Sequence, residues 1–318
     1  RSGDECGVIT GDTGFAASGS VRIWFESIPP PGPERGVVLL SSSMAADALF
    51  WPSVFVRGLG RAGYRVVRYD HRGAGASDWI EDWHRSAPYS LLDMAGDAVA
   101  VLDATAVDRA HVVGLSLGGF VAQEVAIAHP HRVASLTLLS TAADPTDATL
   151  PGPRTSLLLR SGLRGLPLLR YRLLGGEANR VRAIIAKTMI GGGEARDLSE
   201  VGELARTALY VLRHRRGVNL KAIWQHQTAV AVTRCRYELL TQVTSPTLIV
   251  HGTHDPLISF AHAEWLAQLL PHAHHLWLDG VGHQFPYPNL ATVVNVITSH
   301  MDLADAGGSG PDAYREPG

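Results

Sequence analysis

The strongest constraint on the fold is a regular alternation of short, largely apolar runs with segments of helical pattern. The runs fall at residues 37–40, 64–67, 111–113, 136–139, 247–250 and 276–278. The alternating segment at 21–25 precedes them and is predicted as half of an edge hairpin, so the run at 37–40 counts as the third strand and the run at 136–139 as the sixth. Runs this short and this rich in β-branched residues are typical of buried strands in a parallel sheet. Between them, segments such as 91–104 place apolar residues on one helical face. The alternation predicts a mostly parallel central sheet flanked by helices, with right-handed crossovers.

The alternation stops between residues 145 and 240, where the pattern is helical throughout, and then resumes. We therefore predict an α/β core at 1–144 and 241–303, a helical lid at 145–240 inserted after the sixth strand, and a flexible tail at 304–318. Residues 154–236 hold 16 Lys and Arg against 5 Asp and Glu. These basic residues either form solvated helix faces that balance an acidic core, which is the more frequent use, or guide anionic substrates into a cleft.

The apolar side chains of the lid also have two interpretations. They are Leu157, Leu158, Leu159, Leu166, Leu168, Leu169, Ile184 and Ile185. They either pack on the core, which is the more frequent use of such residues, or line a substrate pocket.

Composition narrows the function further. The chain has 318 residues, 46% of them hydrophobic, and a formal net charge of -2, which favours neither nucleic acid nor an acidic membrane as partner. No run of 18 apolar residues and no basic region followed by an apolar stretch is visible, so we expect neither a membrane span nor a signal peptide. Cys6 and Cys235 do not make a disulfide framework, which favours the reducing cytoplasm. Oligomeric state is not predicted.

A candidate nucleophile, Ser116, stands in the motif Gly-Leu-Ser-Leu-Gly between an apolar strand and a helix. A serine raised on a sharp strand-to-helix turn sits in strained, crowded backbone. Glycine at positions 114 and 118 removes the Cβ atoms that would clash. The helix that begins behind Ser116 points its free N–H groups at the reacting centre, where they suit a developing oxyanion.

The predicted base is His283, which lies on a Gly-bounded loop after the last apolar run. Asp255 follows the preceding apolar run and is predicted to orient the imidazole, with Asp144 as the rival acid. All three positions fall at the carboxyl edge of the predicted sheet. A zinc site at His251 and His254 is the weaker interpretation, since no further ligand cluster accompanies them, so we expect neither a metal nor a cofactor.

Three stretches, YDHRGAGAS, DAVAVLDATAVDRAHVVGLSLGG and TLIVHGTHDP, carry a family resemblance. With positions 116, 255 and 283 they resemble the α/β-hydrolase superfamily over nearly the whole chain outside the lid and the termini. Within that superfamily, the three stretches are most similar to the actinomycete polyketide-tailoring hydrolases, the group that includes aclacinomycin methylesterase. The resemblance implies a helical lid on an α/β-hydrolase core and a structural role for the first of these stretches.

The resemblance also assigns the oxyanion hole, with one departure. The backbone N–H of Leu117 follows from the turn at Ser116, and alignment gives Met44 as the second donor. The superfamily usually has His-Gly at the end of the third strand, whereas this chain has Leu40 to Ala45 reading LSSSMA. We therefore expect Ser43 to take the backbone conformation that glycine usually takes.

The predicted function is hydrolysis of a carboxylic ester or lactone of a mid-sized, mostly apolar small molecule through an acyl-enzyme at Ser116. One alternative uses the same three residues for C–C hydrolysis, perhydrolysis, or a polyketide tailoring or cyclisation step. The other is a binding protein that keeps the hydrolase fold, a hypothesis motivated by the missing His-Gly.

Overall fold

The computed structural model describes residues 7–153, 171, 174–191, 198–270, 272–285 and 287–307. The predicted lid residues Leu157 to Leu169 and residues 308–318 of the predicted tail lie outside this description.

Eight strands in the described residues form one sheet. They are β1 (Asp12–Ser18), β2 (Val21–Ile28), β3 (Gly36–Ser41), β4 (Tyr64–Tyr69), β5 (Ala110–Leu115), β6 (Val133–Leu139), β7 (Thr247–Gly252) and β8 (Ala273–Leu278). The spatial order is β1-β2-β4-β3-β5-β6-β7-β8. Strands β1 and β2 pair antiparallel with each other, β2 pairs antiparallel with β4, and the remaining pairs are parallel. The predicted fold class is confirmed, and each predicted apolar run lies within a strand.

Strand β1 pairs with β2 as the other half of the predicted hairpin, but its position was not predicted. It is the sheet's outer strand on that side, and only Ala16 of its seven residues is buried. An exposed edge strand needs no continuous apolar run, so the signal that identified the other strands is absent from its sequence.

Helices flank the sheet. In the described residues they are α1 (Ser53–Arg61), α2 (Leu91–Ala104), α3 (Leu117–Ala128), α4 (Glu177–Gly191), α5 (Leu198–His214), α6 (Leu220–Val232), α7 (Tyr237–Leu240), α8 (Phe260–Leu269) and α9 (Tyr287–Asp305). Helix α2 has the predicted bounds and begins at a capping box, in which Ser90 and Asp93 bond each other's backbone N–H. Helix α9 ends at Asp305, two residues inside the segment predicted as a flexible tail.

The sheet carries a separate hydrophobic core on each face. In β3, Val37 and Leu39 join the core beneath α2, α3 and α8, whereas Val38 and Leu40 join the core beneath α1 and α9. Because both faces are covered, strand residues are apolar without alternation. The loops that follow the parallel strands meet at the carboxyl edge of the sheet, outside its two covered faces.

Helix α6, in the predicted lid, is seated firmly on the core. Its buried residues are Ala222, Gln225, His226 and Ala229, which share one helical face. Just before the helix, the Asn219 side-chain amide donates to the carbonyl of Gly73 at 2.9 Å. Further along, the amide of Gln225 donates to the carbonyl of Ile80 at 3.0 Å. This helix therefore forms a fixed wall over the turn that follows β4.

A second lid contact is the buried guanidinium of Arg215, just after α5. It pairs with Asp47 at 3.0 Å and with Asp70 at 2.5 Å, and it lies 3.8 Å from the ring centre of Trp24. Burial, together with the neighbouring Asp70, raises the pKa of Asp47 to about 7. Such a cluster ties the predicted lid segment to the core, because removing one partner would leave an uncompensated buried charge.

Across the part of the chain that the structure describes, no helix combines the length and the apolar character that crossing a bilayer demands.

Candidate active site

Ser116 occupies a strained turn between β5 and α3. Its backbone has φ 55° and ψ −114°, a region that residues with a side chain rarely adopt. The surrounding backbone holds the turn, because the N–H of Ser116 donates to the carbonyl of Leu139 at 2.9 Å. The Thr141 hydroxyl donates to the carbonyl of Ser116, also at 2.9 Å. The strain is thus fixed by the neighbouring strand β6 and by the residues that follow it.

The two glycines of the motif, Gly114 and Gly118, lie where neighbouring backbone atoms leave no room for a Cβ atom. A Cβ atom added at Gly114 would lie 2.2 Å from the carbonyl oxygen of Gly118. One added at Gly118 would lie 2.0 Å from the carbonyl oxygen of Ser41, at the end of β3. Any side chain at these positions would push the turn away from the sheet, which is the reason the sequence predicted for them.

His283 and Asp255 meet in the loops after β8 and β7. The Nδ1 atom of His283 lies 2.7 Å from Oδ2 of Asp255, and both side chains are buried. The other carboxylate oxygen accepts the backbone N–H groups of Leu257 and Ile258, at 2.8 and 3.0 Å. Because the carboxylate is an acceptor, the imidazole proton sits on Nδ1 and leaves a lone pair on Nε2. That is the tautomer a general base requires.

The rival acid, Asp144, is engaged elsewhere. Its Oδ1 accepts from the backbone N–H and the hydroxyl of Thr146, at 2.8 and 2.6 Å, within a local turn. The pair considered for zinc is also separated: the His251 side chain is buried against the carbonyl of Ile258, 3.0 Å away, whereas His254 is exposed. Of the three predicted pairings, the structure brings together only His283 and Asp255.

The two predicted oxyanion donors come from different segments of the chain. We call the turn of residues 114–118, with Ser116 at its tip, the elbow. Leu117 is the first residue of α3, where an α-helix leaves its N–H groups without an intrahelical acceptor. Met44 belongs to the oxyanion loop, by which we mean residues 42–45, between β3 and the short helix Ala48–Phe50. The crowding of Gly118 by Ser41 and Ser42 shows that the start of this loop touches the elbow directly.

The expectation for Ser43 was wrong. The positive φ of the oxyanion loop, 52°, belongs to Ala45. The N–H of Ala46 donates to the carbonyl of Ser43 at 3.2 Å, so Ser43 opens a four-residue turn. Several turn types need a positive φ at the third residue, and here that residue is Ala45.

Two buried histidines flank the oxyanion loop, and neither was predicted. Nε2 of His71 lies 2.9 Å from the carbonyl oxygen of Ser42. The N–H of Ala45 donates to Nδ1 of His226 at 3.1 Å. Burial is the main cause that lowers the pKa of His71 to about 3 and that of His226 to about 4, so both rings are neutral at ordinary pH. His71 stands in a stretch the resemblance marked as structural, whereas nothing in the sequence singles out His226.

A cavity of about 280 Å³ adjoins these groups. Its walls include the oxyanion loop, Leu115 just before Ser116 and Gln284 just after His283, together with aromatic side chains from two parts of the chain. The aromatic residues are Phe50, Trp51, Phe55, Phe285 and Tyr287. Ile184 of the lid also lines it, as one of the predicted alternatives required. A cavity of this character suits a mid-sized, mostly apolar molecule.

The ionisable groups of the cavity wall do not favour anion guidance. Among the described lining residues the charged types are Asp47 and Glu203, with no Lys, Arg or His. Several basic lid residues instead pair with carboxylates: Arg213 with Glu177, Arg215 with Asp47 and Asp70, and Arg216 and Lys221 with Glu81. These described basic residues therefore balance acidic groups, as the first of the two predicted alternatives states.

Comparison with known proteins agrees with this architecture. The family profile of the alpha/beta hydrolase fold matches residues 36–289. Rhodomycin D methylesterase DauP of Streptomyces sp. (strain C5) is 30% identical over 296 residues, which cover 89% of this chain and 96% of the relative. Rhodomycin D methylesterase DnrP of Streptomyces peucetius is 29% identical over 301 residues, covering 92% and 99%.

Among solved structures, the meta-cleavage product hydrolase CumD of Pseudomonas fluorescens IP01 superposes with a TM-score of 0.68 at 19% identity, covering 93% of this chain and 99% of that one. A likeness at that identity concerns the fold. The profile match, by contrast, spans most of the chain and runs from β3 into α9, so it includes the elbow, the Asp255 loop and the His283 loop. The chain therefore belongs to the α/β-hydrolase fold family.

Proposed function

We propose that this protein hydrolyses a carboxylic ester through an acyl-enzyme, with Ser116 as nucleophile, His283 as base and Asp255 as the acid that orients the base. The observation that carries the proposal is the 2.7 Å hydrogen bond between His283 and Asp255 at the sheet edge where the strained Ser116 turn stands. Nucleophile, base and orienting acid are the three roles that acyl transfer by serine requires.

In the first half of the reaction, Nε2 of His283 accepts the proton of the Ser116 hydroxyl as Oγ bonds to the ester carbonyl carbon. The carbonyl oxygen becomes an oxyanion, which accepts hydrogen bonds from the N–H groups of Leu117 and Met44. The imidazolium is stabilised by the carboxylate of Asp255. It then gives its proton to the alkoxy oxygen, the C–O bond breaks, and the alcohol leaves.

In the second half, His283 takes a proton from a water molecule as the water oxygen bonds to the acyl carbon. The second tetrahedral oxyanion uses the same two N–H donors. Its collapse breaks the bond to Oγ, and the proton on His283 returns to Ser116. The products are a carboxylic acid and an alcohol, and the enzyme is regenerated.

The substrate class follows from the cavity and from the relatives. The aromatic side chains and the volume of about 280 Å³ fit the apolar body of a small-molecule ester. Both Streptomyces relatives described above are methylesterases, which favours a methyl ester over the lactone, C–C and perhydrolysis alternatives. The likeness to CumD concerns the fold alone and adds no support for C–C hydrolysis.

The experiment that tests the proposal is covalent labelling followed by intact-mass analysis. A fluorophosphonate probe should add one adduct to the wild type and none to Ser116→Ala, because the probe traps an activated serine. Ser299→Ala, an exposed serine on α9, is the matched control and should label like the wild type. Hydrolysis of p-nitrophenyl esters and of aryl methyl esters should be lost in Ser116→Ala and retained in Ser299→Ala.

Two results would overturn the proposal. An unlabelled wild type that hydrolyses none of these esters would favour the binding-protein alternative. Bromination of monochlorodimedone in the presence of bromide, peroxide and acetate, without ester turnover, would assign perhydrolysis instead.

A further inference from the structure

The oxyanion loop is hydrogen-bonded at both ends to histidine side chains that come from different parts of the chain. At its start, Nε2 of His71, in the turn after β4, lies 2.9 Å from the carbonyl oxygen of Ser42. At its end, the N–H of Ala45 points to Nδ1 of His226, in helix α6 of the lid, at 3.1 Å. The residue between these two contacts that matters for chemistry is Met44, the second proposed oxyanion donor.

The backbone partners fix the tautomer of each ring. Because the carbonyl of Ser42 can only accept, His71 carries its proton on Nε2. Because the N–H of Ala45 can only donate, Nδ1 of His226 is a bare acceptor. The proton of His226 is therefore on Nε2, from which it donates to the carbonyl of Arg72 at 2.9 Å. Neither ring has the tautomeric freedom of a residue that shuttles protons.

The surroundings make both contacts rigid. His71 and His226 are fully buried, and their rings meet edge to face with centroids 5.9 Å apart. Helix α6 is pressed onto the adjoining turn, since a Cβ atom at Gly73 would lie 3.1 Å from the amide oxygen of Gln225 and 3.4 Å from the methyl group of Ala222. The loop they hold carries a positive φ at Ala45, a conformation that the surrounding structure must over-determine.

We propose that His71 and His226 are positioning residues for the ester hydrolysis proposed above, which aim the N–H of Met44 at the oxyanion that forms on Ser116. In this chain they do the work that the family's His-Gly segment usually does within the loop itself. Through the contact from His226, helix α6 of the predicted lid also supports the oxyanion hole.

Side-chain length separates the two contacts experimentally. An asparagine amide reaches about as far as Nδ1 of histidine, and a glutamine amide about as far as Nε2. His226→Asn can therefore keep an acceptor for the N–H of Ala45 while losing the bond to Arg72. His226→Gln does the reverse. At position 71 the assignment is exchanged, because there it is Nε2 that bonds the loop and glutamine that can keep the contact.

The inference predicts a crossed pattern in ester turnover. We expect kcat to fall about 10- to 100-fold in His226→Gln and His71→Asn, with little change in KM, because only transition-state stabilisation is lost. His226→Asn and His71→Gln should retain most of kcat. Inhibition by an aryl boronic acid, whose boronate mimics the oxyanion, should weaken in the two slow variants and persist in the other two.

A merely structural role gives a different pattern. At position 226 each variant removes one of the two described hydrogen bonds of the buried ring, so thermal unfolding should register both, and kcat would fall in both. At position 71 the ring has one described hydrogen bond, so His71→Gln is there the variant that keeps it. Equal kcat in Asn and Gln variants at both positions, in a wild type whose Ser116 labels and turns over, would overturn this inference alone. A wild type without Ser116-dependent turnover would instead overturn the proposed function.

Discussion

The two halves of the oxyanion hole are built by opposite means. The elbow at Ser116 and the oxyanion loop each carry one residue with a positive φ, 55° at Ser116 and 52° at Ala45. The elbow is supported by residues near it in the sequence or on the next strand, through Gly114, Gly118 and the carbonyl of Leu139. The loop is supported by His71 and His226, which lie 29 and 181 residues from their partners. A positive φ can thus be stabilised by local sterics or by distant hydrogen bonds, and only the first leaves a motif.

The largest expected effect comes from removing the carboxylate that orients His283, the base proposed for Ser116 at the elbow. Asp255→Asn should lower kcat about 10⁴-fold, because an amide favours the wrong imidazole tautomer of His283 while preserving the geometry. Steady-state ester hydrolysis measures it. Asp144→Asn is the control, since that carboxylate accepts only from Thr146 among the hydrogen bonds described above, and it should retain wild-type kcat. A large loss in the control with none in Asp255→Asn would exchange the two assignments.

The next effect tests the close approach between the elbow and the end of β3, where the oxyanion loop begins. Gly118→Ala places a methyl group 2.0 Å from the carbonyl oxygen of Ser41, so the free energy of unfolding should fall by about 3 kcal/mol. Gly96→Ala, in α2 with no heavy atom within 4 Å of the added Cβ, should instead raise it by about 0.5 to 1 kcal/mol. Urea unfolding measures both. Similar changes in the two variants would contradict the close approach.

A third effect concerns the loop side and depends on pH. Burial lowers the pKa of His226 from 6.5 to about 4, so between these values the unfolded chain binds a proton that the folded chain does not. The contribution of this residue to stability is therefore complete above pH 6.5 and is lost as the pH falls toward 4. His226→Gln should reduce the slope of unfolding free energy against pH by about 1.4 kcal/mol per unit in that window.

Urea unfolding at pH 4.5, 5.5 and 6.5, a window set by the direction of this linkage, measures that slope. The matched control is Asn295→Gln, an exposed residue of α9 without an ionisable group, which should leave the slope unchanged. An unaltered slope in His226→Gln would show that the ring beside Ala45 already carries a proton in the folded state.

The smallest effect compares two alanines with nearly the same positive φ. Ala45 and Ala106 have φ of 52° and 53°, and replacing either with glycine should raise the free energy of unfolding by about 0.5 kcal/mol, the relief of strain slightly exceeding the entropy that glycine adds to the unfolded chain. Only Ala45→Gly should change kcat, because Ala106 precedes β5 at the opposite edge of the sheet. Denaturant titration and ester turnover, measured on the same samples, separate the two readouts.

Sequence reasoning located the elements that obey a strong local rule. The apolar runs lie within strands because burial on both faces of a sheet demands them, and the bounds of α2 follow from its apolar face and capping box. The exposed strand β1 obeys no such rule, and its position was missed. The same contrast separates Ser116, which its glycines mark, from the oxyanion loop, where the strained residue was expected at Ser43 and lies at Ala45.

The sequence by itself determined the sheet, the elbow and the candidates for base and acid, because steric exclusion around a tight turn and apolar burial act between residues close along the chain. Only the tertiary structure decided that His283 bonds Asp255, and that one of 15 histidines, in a lid helix, bonds the oxyanion loop. Those contacts depend on which distant segments the folded chain brings within about 3 Å, the range of a hydrogen bond, and a linear pattern does not record that distance.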